Sequence, residues 1–327
     1  MIKSLFYKIQ RAGGFVNSHA HFEKDYTFQC FEKEEAYNHL IEKWELVDDY
    51  KKNADVLRFY GNINNAIKAQ KNFGVTKACT FIDIDSVCGT RALQAAQIVK
   101  QQESKENDFR LKIACQTLKG ILNSGESALI ENAMDTIDII GSLPNADHDP
   151  ALHIDKVMSW AKKYEKRLHV HVDQLNTSNE KETELLARKT IEWGLEGRVT
   201  AVHAISLACH SKDYRNEVYK ICRDANLSFI TCPSAWIDHP RREDLAPIHN
   251  ATTPVDELIL NGLAVGIGSD NINDVYKPYS NGDMMFELRL LLEACKIYDE
   301  EVLIKIATSN GDSICGFENS HPKKNRI

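Results

Sequence analysis

Apolar runs rich in Val and Ile recur at residues 15–21, 77–85, 110–117, 137–144, 167–174, 199–206, 226–233 and 264–270. They lack the alternation of a half-exposed sheet, so each reads as a strand covered on both faces, as in a parallel sheet. Between them lie stretches with apolar residues at helical spacing, among them 92–101, 154–164, 180–193, 214–225 and 254–261. Eight strand-then-helix units predict an α/β fold, a (β/α)8 TIM barrel forming a single domain over residues 1–327. A two-domain nucleotide-binding protein is the competing architecture, but no Gly-rich phosphate loop follows the first strand.

The connection from residue 22 to about 60 is long and carries Tyr26, Phe28, Phe31, Trp44 and Tyr50. Loops of this length usually have a task, so it is either a lid over the site or extra helix packed outside the barrel. At 327 residues and 43% hydrophobic content the chain can bury a large core. A net charge of −7 argues against a nucleic-acid partner, and the basic Lys323-Lys324-Asn325-Arg326 falls in a solvated tail over 317–327. Nine cysteines without CxxC pairs fit a reducing compartment. With neither a leader pattern nor a membrane-length apolar run, a soluble cytoplasmic protein is expected.

Chemistry concentrates at the ends of the apolar runs. His19 and His21 close the first, His171 and Asp173 the fifth, His203 the sixth and Asp270 the last. In a (β/α)8 barrel all these ends meet at one mouth, where active sites lie. Residues two apart on a strand face the same way, so one metal ion can take both His19 and His21, with His171 and Asp270 added from other strands. Three imidazoles and a carboxylate leave a position open for water, as catalytic zinc sites do. Such water is acidified toward neutrality and becomes a hydroxide nucleophile. Any one of these histidines alone reads as a hydrogen-bonded core residue; together at one barrel mouth they read as a metal site. His169 lies deeper, in a packing or supporting position. His39, His148, His153, His210 and His321 receive no role.

The ordered series Ser18-His19-Ala20-His21 running to Lys24, then His171-Val172-Asp173-Gln174, Val199 to His203, and Gly268-Ser269-Asp270-Asn271 resembles the amidohydrolase superfamily, in its cytosine deaminase-like branch. The stretch from Pro247-Ile248-His249-Asn250 to Leu258 is similar as well. The resemblance spans residues 15 to 316. It implies one divalent ion, zinc or iron, on His19, His21, His171 and Asp270. Asp270 would also take a proton from the bound water, and His203 would polarise the substrate or steady the developing oxyanion. Lys24 matches a pocket-facing lysine of some relatives. Assembly as dimers or larger is usual among them.

Three departures qualify the likeness. Gln174 stands where these deaminases carry a proton-shuttling glutamate. A carboxamide has no usable pKa for that transfer, and a general acid is typically worth about 10²–10⁴-fold in rate. The third strand ends Cys115-Gln116-Thr117, with Gln116 out of register for the family's substrate glutamine. With 14 residues before the first strand, most of the flanking β-sandwich of many relatives is expected to be absent. The expected activity is hydrolysis of a C–N bond in a small nitrogen-rich substrate. Deamination, amide or ureide hydrolysis with Asp270 as sole base and acid, and a metal-binding pseudoenzyme all stay open. Asp173 is a substitute shuttle or a support for a ligand. Candidate substrate contacts are Lys24, Trp236, Asn271 and Asp274, with Ser234, Asp238 and His239 nearby, while Asp83 and Asp85 support the site.

Overall fold

All eight apolar runs form strands, in chain order around one sheet: β1 (Phe15–Ala20), β2 (Val75–Asp83), β3 (Arg110–Gln116), β4 (Ile139–Ser142), β5 (Arg167–Val172), β6 (Val199–His203), β7 (Ser228–Thr231) and β8 (Val265–Ile267). Every neighbouring pair is parallel. A parallel bridge between Ala20 and Asp270 joins the two ends of the sheet. There the Asp270 amide donates to the His19 carbonyl at 3.0 Å. Gly268 permits this closure, since a Cβ at that position would lie 2.7 Å from the His19 carbonyl oxygen. The chain folds as the expected (β/α)8 barrel. The computed structural model describes residues 2–106, 108–235 and 251–317; Trp236, Asp238, His239 and the 247–250 stretch lie outside them.

The helices are α1 (Ile2–Arg11), α2 (Leu40–Asn53), α3 (Val56–Asn72), α4 (Arg91–Glu106), α5 (Ser124–Asn132), α6 (Pro150–Lys163), α7 (Glu182–Trp193), α8 (Lys212–Asp224), α9 (Val255–Leu260), α10 (Met284–Ala294), α11 (Glu300–Ala307) and α12 (Ser309–Cys315). Asp55, Asp149, Ser211 and Asp299 start four of them by accepting a backbone N–H of the first turn. Strand side chains are buried on both faces. One set packs against the helices, while Val16, Phe81, Ala114, Ile139, Val202 and Ile230 join a cluster that Ile314, Cys315 and Phe317 complete. Filling such positions is worth about 1.5–3 kcal/mol per large aliphatic side chain.

The strands stop short of the apolar runs at their C-terminal ends, and the reason is local. Asp173, His203 and Asp270 have φ of 54°, 72° and 58°. Left-handed backbone at non-glycine residues costs energy and gathers at functional sites; here it turns the chain out of the sheet at the barrel mouth. Of the connection after β1, α2 lies against that mouth, where Leu40, Trp44 and Leu46 pack with Leu118, Leu143, Val275 and Tyr276. Among the described residues, no helix is long and apolar enough to cross a membrane.

Candidate active site

The barrel closure brings β1, β5, β6 and the end of β8 around one point. Ring nitrogens of His19, His171 and His203 lie within 4.8 Å of one another, as do ligand atoms of His19, His21 and Asp270. Asp270 Oδ1 lies 3.4 Å from His19 Nε2 and 3.3 Å from His21 Nε2. His171 Nδ1 donates to the Ser142 carbonyl at 3.0 Å, which leaves its Nε2 for the centre.

Burial sets the protonation of this cluster. It drives the His19 imidazole down to about 4 and His203 to about 3, and pulls His21 and His171 below the usual range as well. All four are therefore neutral at pH 7, the form that binds metal ions. Burial alone would raise the Asp270 carboxyl, but the charge of Lys277 and the close approach of the His19 and His21 rings outweigh it, so Asp270 stays ionised. Both ring nitrogens of His19, Nδ1 of His21 and Nδ1 of His203 are buried without a hydrogen-bond partner. Orphaned polar atoms at this density require an explanation. A divalent cation with imidazole and carboxylate ligands satisfies the donor set.

The cluster forms one wall of a narrow cavity of about 40 Å³, whose lining includes His21, His171, His203, Asp270, Lys24, Gln174 and Asn271. Lys24 is no isolated cation: its Nζ lies 2.8 Å from Glu23 Oε1 and 2.9 Å from Asp83 Oδ1. Asp83 and Asp85 in turn pair with Lys51 of α2. Gln174 Nε2 has no partner. Asn271 donates to Asp274, which does not line the cavity and instead accepts the amides of Tyr276 and Lys277. His169 lies beneath the cluster, its Nε2 3.3 Å from the Ile314 carbonyl.

Three expectations are corrected by these contacts. Asp173 does not face the cavity; its carboxylate accepts Glu182 N, Thr183 N and Thr183 Oγ1, holding the start of α7, so it is no shuttle. Ser234 turns to Glu287 Oε1 at 2.6 Å and does not line the cavity beside the histidines. Gln116, read as out of register, lines the cavity with Oε1 unpaired. Its neighbour Asp83 in the β2–β3 ladder shows why: the last residue of β3 is level with the mouth. Trp44, one of the aromatics marked in the connection after β1, completes the wall with Leu40, Leu118, Leu143 and Tyr276, and these last four were not singled out in the sequence. Only Tyr276, an aromatic six residues past Asp270 on the last βα loop, carried a usable signal.

A model of the amidohydrolase family matches residues 31–319. The chain belongs to the amidohydrolase family. It is thus a hydrolase of carbon–nitrogen bonds other than peptide bonds. An uncharacterized protein of Haemophilus influenzae is 42% identical over 258 residues, covering 77% of this chain and 92% of its own length. The N-isopropylammelide isopropyl amidohydrolase of a Pseudomonas species is 26% identical, over 94% of this chain and 75% of its own. Among solved structures, the amidohydrolase fold of 5-methylcytosine deaminase from Klebsiella pneumoniae superposes with a TM-score of 0.85 at 23% identity, covering 93% of this chain and 75% of that one.

Proposed function

We propose that this protein hydrolyses an exocyclic C–N bond of a small, uncharged, nitrogen-rich heterocycle, with one zinc or iron ion held by His19, His21, His171 and Asp270. The carrying observation is the cavity lining, which joins neutral imidazoles and an ionised Asp270 to the unpartnered Gln116 Oε1 and Gln174 Nε2. When bound, the ion supplies Lewis acidity that brings a water into the range of a neutral-pH nucleophile. Asp270 takes the proton of the attacking water and returns it to the departing nitrogen. His203, neutral, turns a ring N–H to the oxygen that gains charge. Gln174 Nε2 donates to a ring heteroatom and Gln116 Oε1 accepts from a ring N–H. Because Glu23 and Asp83 neutralise Lys24, the cavity has no unpaired cation among its described lining and suits a neutral ring.

Support comes also from relatives named for amino- and alkylamino-heterocycles, the 5-methylcytosine deaminase and the N-isopropylammelide hydrolase. The test is release of ammonia or alkylamine by metal-loaded protein from aminopyrimidines, aminotriazines, pterins and purines. Release from a single-ring compound is expected. Gln174 favours a second reading, hydrolysis of a cyclic amide or ureide, in which Asp270 alone is base and acid. Silence across the amino panel with turnover of a cyclic amide would establish that reading instead.

A further inference from the structure

A buried Ser–His–Asp string stands directly behind this site. Ser142 Oγ lies 2.7 Å from His153 Nε2, and His153 Nδ1 lies 2.6 Å from Asp147 Oδ2. A carboxylate only accepts, so Nδ1–H donates to Asp147 and Nε2 accepts from the Ser142 hydroxyl. The order is that of a nucleophile triad, but Ser142 is 4% exposed and lines none of the described cavities. No substrate reaches its hydroxyl, so the string has no acyl-transfer role.

Its two ends show what it does. At the outer end, Asp147 also accepts Ile121 N at 2.7 Å and Leu122 N at 3.2 Å, tying the loop after β3 to the loop after β4. Gly120 makes room for that carboxylate, since a Cβ there would lie 2.3 Å from Asp147 Oδ1. At the inner end, the carbonyl of Ser142 accepts Nδ1–H of His171 at 3.0 Å. The next residue, Leu143, lines the cavity.

We infer that Ser142, His153 and Asp147 are positioning residues for His171: they pin the end of β4, so that the Ser142 carbonyl fixes the tautomer and ring plane of His171 and keeps its Nε2 on the metal. The inference rests on the proposed metal site. Outer partners of metal-bound histidines are worth about 10–100-fold in metal affinity, and this string supports such a partner from three elements at once.

The test is Co²⁺ titration of metal-free protein, read by absorption spectrum and by competition with a chelator, for wild type, Ser142→Ala, His153→Gln and Ser142→Thr. Ser142→Ala and His153→Gln are expected to bind about 10–100-fold more weakly with an altered spectrum, and Ser142→Thr to restore both. Melting of the metal-free variants serves as the control, because a string that merely holds the fold would lower melting without touching affinity or spectrum. Wild-type affinity and spectrum in Ser142→Ala and His153→Gln would overturn the inference while leaving the metal site in place. A wild type that takes up no cobalt would overturn the metal site and this inference with it.

Discussion

Asp270 has two oxygens in different company, and its chemistry follows from that. Oδ1 faces His19 and His21, while Oδ2 lies 3.4 Å from Lys277 Nζ, itself held by the Ser269 carbonyl at 2.8 Å. Asp270→Asn keeps the shape but removes the base, so turnover should fall by at least about 10²-fold while cooperative unfolding persists; retained activity would remove Asp270 from the mechanism. Gln174→Glu tests the neighbouring position. If Gln174 occupies the proton-transfer place, the new carboxyl should raise amine release by more than tenfold, towards the lower end of what a general acid contributes, about 10². Unchanged rates on every substrate would show that the place is elsewhere. The histidines and Asp270 were legible in the sequence because each closes an apolar run. Gln116 was not, because register at a strand end is set by the pairing of β2 with β3 rather than by the run itself.

The strands were readable for the same reason that they are stable: both faces are buried, so composition alone marks them. The connection after β1 was not, since its place depends on a charge network spread over distant positions. Lys51 of α2 is fully buried, with Nζ 3.0 Å from Asp83, close to Asp85 and 3.1 Å from Asp48. Burial alone would lower its pKa, but the three carboxylates more than offset this and keep it charged. Lys51→Met leaves Asp85 and one oxygen of Asp83 without their cation, and breaking a buried pair costs about 3–5 kcal/mol. A lower denaturation midpoint is expected, and an unchanged one would show that α2 is anchored by its apolar side alone. Trp44→Ala keeps the network and empties part of the cavity wall. If the indole binds ground state and transition state alike, KM rises with kcat unchanged, as steady-state rates on the substrate found by the panel would reveal.

Across the whole molecule, the burial that builds the site also sets how stability responds to pH. Behind the loop carrying Gln174, burial and mutual repulsion with Asp173 push Glu180 up to about 7, and burial with the charges of Glu180 and Asp173 pushes Glu182 up to about 8. Unfolded glutamate titrates near 4.3, so the folded state holds more protons between about pH 4.3 and 8, and stability falls with rising pH across that window. The site histidines work in the opposite sense: with folded values at or below about 4 for His19 and His203, they release protons on folding and add stability as pH rises through about 6.5, the gain being complete about one unit higher, where unfolded histidine is also neutral. Below about pH 7.5 the two sets oppose each other; above it the histidine contribution is complete and only the acids still change. Melting of the chelator-treated protein should therefore drop steadily from about pH 7.5 to 8.5. In a Glu180→Gln/Glu182→Gln double variant, which has no proton to lose at either position, the drop should be shallower. An equally steep drop in the variant would place the proton loss elsewhere, with Glu23, which burial raises to about 7 beside Lys24, the next group to replace.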